Sequence, residues 1–490
     1  MPDCLRRTAV ATADAAEDRT RCFTERSSVP TMAGVFLICF ILCLGPAPLS
    51  ARERSAPSSG TEGLEDVIEG FDEDAPAVAS GTGEEGKQSR WDLTGDVTLG
   101  SSYNLHSHTP QTLPPTNTDY GGLSRLRLEL DLELDVKLSN SWKARISGWG
   151  FHDFAYGING RDTYTAEVLE EYENEAELTD TYIQGSLLHS LDIKAGRQIV
   201  VWGKSDNLRV TDVLNPLDNR EPGLVDIEDL RLPVTMTRLD YYLGKWNLTG
   251  MAIHEIRFNK NPVFGNDFYP SPSQSPPETI PDHGGSNTEY AVALNGILTG
   301  WDISLYGARI FDDQSHFASL AELRHSRLTM TGAAVNVALG NWLLKSEAAY
   351  FDGLEFFAPV EKKSRTDVLI GTEYSGFSEA TISLELVNRH IHDFEAVLEN
   401  PPDSAQENTV QTALRYQQDF MNDTFHVIAL ALTSGWKGDD GAVQRLSLGY
   451  DVNDSVSVTG GYVNYTAGDK AEFSHIGKND RFFFDVKYSF

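Results

Sequence analysis

Residues 126–138 read LRLELDLELDVKL and alternate between apolar and charged side chains without exception. Every even position is leucine or valine, and every odd position from Arg127 to Lys137 is charged. Side chains of a β-strand alternate between its two faces, whereas a helix would scatter both sets around its axis. The run also exceeds the roughly 9–11 residues that a tilted strand needs to cross a bilayer. The pattern therefore predicts an amphipathic strand long enough to span a membrane.

Charge and length exclude some classes of protein. The chain has 490 residues and a formal net charge of −32. A nucleic-acid-binding protein needs a basic surface to meet phosphate, so this balance argues against a nucleic-acid partner. The second half of the chain contains no apolar run of helix-spanning length. If the protein spans a membrane, it therefore does so with strands.

The N-terminal region predicts an export signal. Residues 33–44 form a short apolar run that follows two arginines and precedes two prolines and several small residues. This order is typical of a secretory signal, and the run is short for a membrane helix. We therefore expect residues 1–51 to be a leader that is cleaved near Ala51. The alternatives are a start at Met32, a lipid anchor at Cys43, or a buried core helix.

The leader contains all the cysteines of the chain, at positions 4, 22, 39 and 43. The mature chain would then have neither disulfides nor thiolate chemistry. Residues 52–88 are rich in Ser, Gly, Ala, Glu and Asp, and Phe71 is their one aromatic residue. Such a segment buries too little apolar surface to offset its ordering entropy. It is expected to be a disordered acidic periplasmic arm, with a partner-binding tail as the alternative, and residues 89–490 are expected to form the folded domain.

Tight turns and long insertions alternate along the expected domain. Turn signals occur at His189-Ser190, Gly244-Lys245, Thr299-Gly300 and Gly340-Asn341, and long polar insertions at 203–232, 259–287, 312–326, 352–364, 391–408 and 466–479. Short turns on one rim and long loops on the other are typical of outer-membrane barrels. The pattern predicts an all-β, transmembrane, antiparallel up-and-down β-barrel of about 18 strands. The alternative is 16 strands, if those around Gly307 and His426 are absent.

Three features indicate that the apolar faces point outward to lipid. A closed sheet of this size is too wide for side chains to fill, so its interior would be aqueous. Tryptophans follow short turns, as in an interfacial girdle, at Trp142, Trp246, Trp301 and Trp342. The last strand places Phe482, Phe484, Val486, Tyr488 and Phe490 on one face, which resembles the carboxy-terminal assembly signal of Gram-negative outer-membrane proteins. The expected partners are outer-membrane lipid, the barrel-assembly machinery and small-solute permeants.

The third long connection and its flanks, residues 196–233, carry the most specific motif. Its residues are Gly196, Arg197, Gln198, Trp202, Gly203, Asp212, Asn215, Pro216, Asp218 and Arg220. They resemble a family of large Gram-negative outer-membrane barrels known only as a domain of unknown function within the porin group. The resemblance covers about 40 residues and implies a pore-forming barrel without naming a substrate. The long leader and the acidic arm depart from that family pattern.

A loop of this length in a compact fold is usually functional, and in general porins the third long loop narrows the channel. We hypothesise that residues 203–232 form a pore constriction. The charged residues involved would be Asp206, Asp212, Asp218, Glu221, Asp226, Glu228 and Asp229, opposed by Arg197, Lys204, Arg209, Arg220 and the wall residues Arg238 and Asp240. Rings of charge select permeants by sign and size. The alternative is that the arginines and aspartates tie the loop to the wall through bidentate ion pairs.

Other motifs are weaker. The pairs His106/His108 and His390/His392 lie in or beside loops, and no clustered Cys or Asp completes a ligand set, so neither a metal nor a cofactor is expected. No nucleophile motif such as GxSxG suggests an enzyme. The expected function is passive diffusion of small solutes through a charge-lined pore. The alternatives are a substrate-specific channel for hydrophobic or oligosaccharide cargo, and a structural or adhesive surface barrel; a homo-oligomer is left open.

Overall fold

The structure is a computed structural model that describes residues 89–225 and 227–490. The expected leader (1–51) and acidic arm (52–88) lie outside the described residues. Within the described part, no helix is both long and apolar enough to cross a membrane.

The chain forms eighteen antiparallel barrel strands, each paired with the strand that follows it. They are β1 (Trp91–Asn104), β2 (Gly122–Lys137), β3 (Trp142–Asp153), β4 (Asn174–Leu188), β5 (Leu191–Gln198), β6 (Val234–Leu243), β7 (Trp246–Ile253), β8 (Glu289–Leu298), β9 (Trp301–Ser319), β10 (Glu322–Leu339), β11 (Trp342–Leu354), β12 (Lys363–Phe377), β13 (Ala380–Ile391), β14 (Asn408–Phe420), β15 (Phe425–Ser434), β16 (Gly441–Asn453), β17 (Val456–Thr466) and β18 (Arg481–Ser489). A further two-residue strand, Glu278–Thr279, lies in a loop and pairs in parallel with β10.

The barrel closes because β1 pairs with both β2 and β18. Asp96 of β1 lies opposite Asp131 of β2 and opposite Ser489 of β18. A closed ladder leaves no unpaired edge, which a sheet surrounded by lipid requires. The predicted count of 18 strands is confirmed. The alternative of 16 is wrong, because the segments around Gly307 and His426 form β9 and β15.

The alternating segment forms β2, and its two faces separate as predicted. Leu130 and Leu132 are exposed on the outer face. On the inner face, Glu133 and Asp135 form ion pairs of 2.9 and 2.8 Å with Arg145 of β3. Ionic side chains thus meet across the inward face while leucines cover the outside. This arrangement suits a barrel with lipid around it and water within it.

The last strand repeats this separation of faces. Phe482, Phe484 and Tyr488 are exposed on the outer side of β18, whereas Arg481 and Phe483, at alternate positions, are buried on the inner side. The outer face is therefore apolar on both β2 and β18.

The connections differ between the two rims. Short turns, among them 189–190, 244–245, 299–300 and 340–341, lie on the rim where β1 begins and β18 ends. The predicted tryptophans each begin a strand after one of these turns, namely β3, β7, β9 and β11. The opposite rim carries the long connections 105–121, 154–173, 199–233, 254–288, 355–362, 392–407, 435–440 and 467–480.

Short helices occur within the long connections. The α-helices are α1 (Ala155–Asn159) and α2 (Ala166–Tyr172), and the 3-10 turns are Arg161–Thr163, Ile227–Leu230, Ala396–Glu399, Ala471–Phe473 and Ile476–Lys478. Helix α2 begins with a side-chain cap, because the Thr165 hydroxyl accepts the Val168 N–H at 3.3 Å, as residues at this position commonly do.

One predicted loop is wrong. Residues 312–326 form the outer ends of β9 and β10, which continue as a hairpin to a turn at 320–321. The register shifts between Phe311 and Ser315, and the ladder then resumes with Ser315 opposite His325. The polar residues at this shift had suggested, from the sequence, that the strand ends there. A β-bulge instead accommodates extra residues without ending the strand.

Candidate functional site: the third long connection

The third long connection leaves β5 and returns to β6 through a closed neck. Asn215 is fully buried there. Its side-chain oxygen accepts the Val200 N–H at 2.8 Å, and its amide group donates to the carbonyls of Gln198 and Leu232 at 3.2 and 2.9 Å. These bonds join the start, the middle and the end of the connection. The neck therefore divides it into two lobes, lobe A (199–215) and lobe B (216–232).

Lobe A is held by a buried carboxylate on a distant strand. Glu347 of β11 is 2 % exposed. It accepts the backbone N–H groups of Lys204, Ser205 and Thr211 at 2.5, 2.8 and 3.0 Å. The Thr211 hydroxyl also donates to it at 2.7 Å. One side chain thus satisfies three backbone donors of the lobe, which would otherwise be buried without partners.

A second carboxylate repeats this arrangement two strands further on. Glu385 of β13, 1 % exposed, accepts the N–H groups of Asp206, Asn207 and Leu208 at 3.0, 3.1 and 3.2 Å. The Ser205 hydroxyl donates to it at 2.8 Å. In a closed barrel of eighteen strands, β13 is eight strands away from β5. Lobe A therefore reaches from β5 to the nearly opposite side of the inner wall.

Lobe A also packs an apolar surface against the inner wall. Its buried members are Val200, Trp202, Leu208, Val210 and Leu214, and the wall members include Met236, Ile253, Met330, Leu369 and Val387. The Trp202 ring stacks on Tyr306 of β9 with 4.6 Å between centroids. Without the lobe these wall residues would face water, which is unfavourable for apolar surface. Barrel and lobe therefore stabilise each other.

The close contact of lobe A with Glu347 depends on a glycine. Gly203 has φ +89°, and a Cβ atom there would lie 2.6 Å from the Glu347 carboxylate. Glycine adopts positive φ without the steric cost that a side chain brings. At this position it also leaves room for the carboxylate that binds the next two N–H groups.

Lobe B is tied to another part of the wall by Arg220, which is buried. The guanidinium donates to Glu175 of β4 at 2.7 Å and to the backbone carbonyl of Glu171 in α2 at 2.6 Å. It also pairs with Asp218 of the same lobe at 2.6 Å. Burial acts to lower the pKa of Arg220, but the bonds to Asp218 and Glu175 outweigh it and raise the pKa. This arginine is therefore a permanent charge that joins lobe B to β4.

Glu221 joins lobe B to β2. Its carboxylate lies 3.0 Å from Arg127 and 3.9 Å from Arg125. Burial acts to raise the pKa of Glu221, but the positive charges of Arg127, Arg125 and Arg220 outweigh it and lower the pKa to about 2. The contact therefore stays ionised at neutral pH. Next to it, Leu224 packs against the inner wall formed by Val443, Val463 and Phe483.

Three comparisons with known proteins bear on this fold. The model of a family described as "Protein of unknown function (DUF1302)" matches residues 74–490. The chain belongs to this family. No curated protein matches the DUF1302 chain in sequence.

Solved outer-membrane proteins resemble this DUF1302 barrel at low identity. OccAB2 of Acinetobacter baumannii is 9 % identical with a TM-score of 0.49, and the match covers 82 % of this chain and 98 % of that one. OccK1 (OpdK) of Pseudomonas aeruginosa is 11 % identical with a TM-score of 0.47, covering 81 % and 98 %. A BenF-like porin of Pseudomonas fluorescens Pf-5 is 11 % identical with a TM-score of 0.48, covering 82 % and 98 %. Identities this low say nothing about a substrate.

The charged residues predicted for the constriction fall into separate groups in the DUF1302 barrel. Those of lobe A are Lys204, Asp206, Arg209 and Asp212; those of lobe B are Asp218, Arg220, Glu221 and Asp229; and Arg197, Arg238 and Asp240 lie on the wall. Asp226 and the side chain of Glu228 lie outside the described residues. The two lobes thus carry most of the set.

Asp212 of lobe A bonds to residues of both lobes. It is buried, accepts the Trp202 N–H at 3.2 Å, and pairs with Arg231 and Arg209 at 2.9 and 3.1 Å. Asp206 instead faces the wall, where it pairs with Lys345 of β11. Asp212 therefore joins lobe A to lobe B, whereas Asp206 joins lobe A to the barrel.

The wall residues of the predicted set have their own partners. Arg197 pairs with Glu177 of β4 at 2.5 Å and with Glu255 at 3.2 Å. Arg238 pairs with Asp240 on β6 at 2.8 Å, nearer the rim with the short turns. Arg197 lies where the third long connection leaves β5. The Arg238–Asp240 pair lies further from the lobes, towards the rim with the short turns.

Sequence reasoning missed the two carboxylates that hold lobe A. A signal was present, because Glu347 and Glu385 occupy inward positions beside the apolar positions Ala349 and Val387. An ionised carboxylate buried among apolar neighbours requires hydrogen-bond donors. Charged residues at the same alternate, inward-facing positions as apolar residues could therefore have indicated that a loop docks there.

The histidines of the predicted pair 390/392 contact side chains of neighbouring strands. Among the described residues, no group of three or more His, Cys, Asp or Glu side chains is arranged to hold a metal ion. His390 bonds to Asn408 at 3.1 Å, and His392 bonds to Thr366 at 2.7 Å. These contacts join the rim ends of neighbouring strands.

Proposed function

We propose that this protein is a channel of the Gram-negative outer membrane through which small solutes diffuse passively, with lobes A and B as its constriction. The observation that carries the proposal is the path of lobe A from β5 to the buried carboxylates of β11 and β13. A closed sheet of eighteen strands encloses more space than its wall side chains can fill. A loop that reaches across this space narrows it.

The charges around the lobes would set selectivity. Asp206 of lobe A pairs with Lys345 and Glu221 of lobe B pairs with Arg127, so each lobe would bring charges of both signs to the constriction. Opposed charges on a constriction discriminate among permeants by sign and by size.

The remaining parts of the proposal concern export and assembly. Residues 1–51 would direct secretion, with cleavage near Ala51, and residues 52–88 would remain as an acidic periplasmic arm. The exposed outer face of β18, with Phe482, Phe484 and Tyr488, would contact lipid and present the assembly signal to the barrel-assembly machinery. No catalysed reaction is part of this function.

Conductance of the refolded protein in planar lipid bilayers tests the channel. A stable open current is expected, and absence of any current would contradict a passive channel. Deleting residues 210–228 should raise the conductance, because it removes parts of both lobes. Removing the hairpin tip 316–323, which lies outside the lobes, serves as the control and should leave the conductance unchanged. Equal conductance of the unmodified protein and the lobe deletion would contradict the constriction.

A further inference from the structure

The inward face of β15 is apolar at a level where its neighbours carry charge. Leu430 lies directly opposite Arg415 of β14 and directly opposite Arg445 of β16. The residues next to these arginines in sequence, Leu414 and Leu446, are exposed on the outer face. Because side chains alternate along a strand, both arginines and Leu430 point to the interior. The three side chains therefore form one row across the inner wall.

The rows above and below extend this apolar surface along β15. Below Leu430, Ile428 lies between Gln417 and Ser447. Above it, Leu432 packs against the apolar core of lobe A. A strip of three apolar side chains therefore runs from the lobe towards the rim with the short turns.

The arginines lie close enough to act on one small molecule. Neighbouring strands are roughly 4.8 Å apart, so the backbones of Arg415 and Arg445 are separated by about 10 Å. Leu430 stands between them, with its Cβ about 5 Å from that of either arginine. A ligand of a few ångströms can touch the leucine and one of the guanidinium groups together.

Arg415 differs from the inward Arg145 in its partners. In the part of the chain that the structure describes, its polar contact is the Gln417 side-chain oxygen at a long 3.4 Å, and no carboxylate pairs with it. Arg145, by contrast, pairs with Glu133 and Asp135. A guanidinium that faces an aqueous interior without a carboxylate attracts anions and offers them a planar set of N–H donors.

We propose that Arg415, Leu430, Ile428 and Arg445 form a binding subsite for a small organic anion that joins a carboxylate to an apolar body. This inference rests on the proposed channel function and names a class of permeant for it. The carboxylate accepts hydrogen bonds from Arg415, and the apolar body covers Leu430 and Ile428. An inorganic anion lacks the body, and a neutral apolar molecule lacks the charge, so both bind more weakly.

Equilibrium dialysis tests the subsite directly, with benzoate as the probe and the full chain refolded in detergent micelles. Empty micelles correct for partitioning, and acetate and benzyl alcohol serve as the comparison ligands. We expect benzoate to bind at least tenfold more tightly than either comparison ligand. The variant R415Q should weaken benzoate binding at least tenfold, and L430S should weaken it several-fold. R145Q is the matched control and should leave binding unchanged, because Glu133 and Asp135 already neutralise Arg145.

Bilayer currents measured on the same samples separate the subsite from the channel. Binding that depends on Arg415 without any open current would support the subsite and contradict the proposed channel. An open current with equal benzoate affinity in R415Q and the unmodified protein would overturn the subsite and leave the channel standing. Equal binding of benzoate and acetate would also overturn the subsite, because the apolar strip would then contribute nothing.

Discussion

Replacing Glu347 with glutamine tests whether the inner wall holds lobe A in place. The carboxylate accepts two backbone N–H groups on one oxygen and the N–H and hydroxyl of Thr211 on the other. Glutamine has the same size but exchanges one acceptor oxygen for an NH₂ donor. In E347Q, two donors of lobe A therefore face another donor.

The magnitude follows from these lost bonds. Each buried donor without a partner costs about 1–3 kcal/mol. Two such donors should make the free energy of docking lobe A less favourable by about 2–4 kcal/mol, because water entering from the interior hydrogen-bonds to them in part. Since 1.4 kcal/mol corresponds to a factor of ten, the ratio of docked to undocked lobe should fall by roughly 30- to 700-fold.

Two measurements detect undocking. Limited proteolysis of the refolded protein should cleave between residues 199 and 215 faster in E347Q than in the unmodified protein. Single-channel recordings should show a higher and noisier conductance. E133Q is the matched control, because Glu133 is an inward glutamate of β2 that pairs with Arg145 and lies outside the contacts of lobe A.

The outcome that refutes this reasoning is specific. If E347Q and E133Q were both cleaved and conducted like the unmodified protein, the bonds to Glu347 would not determine the position of lobe A. The proposed constriction would then need another anchor.

Three further predictions concern the lobes. The folded-state pKa of Glu221 is lowered to about 2, so its stabilising contribution is present above its unfolded pKa of about 4.3 and is lost as pH falls towards 2. Thermal unfolding temperatures measured across this pH range should show the loss. The E221Q variant should lack this acid dependence, and an unchanged dependence in E221Q would contradict the assignment. G203A should destabilise lobe A by about 1–3 kcal/mol, read as faster proteolysis, whereas G250A has open space at its Cβ and should behave like the unmodified protein. W202A should lower the free energy of unfolding by about 3–5 kcal/mol. It should also remove the near-ultraviolet circular dichroism signal of the stacked Trp202–Tyr306 pair, and a retained signal would contradict that stacking.

Local patterns in the chain were sufficient to predict the barrel. Period-two alternation in residues 126–138 placed leucines outside and charges inside, because the geometry of a strand separates adjacent side chains whatever lies around it. Barrel strands pair with their neighbours in sequence, so turn signals such as Gly244-Lys245 also predicted the order of the sheet. The one failure, at 312–326, arose because a bulge and a loop start with similar polar residues.

The partners of the third long connection could not be predicted in the same way. Its length and position in the chain suggested a loop with a role in the interior, but Lys204 and Glu347 are 143 positions apart in sequence, and no local pattern links them. They meet because closure of the barrel brings β11 and β13 to the side facing β5. The amino-acid sequence by itself predicted the strands and their faces, and it favoured eighteen strands with sixteen as the alternative. Only the closed tertiary structure decided which wall residues the lobes bind, since those contacts cross the barrel instead of following it.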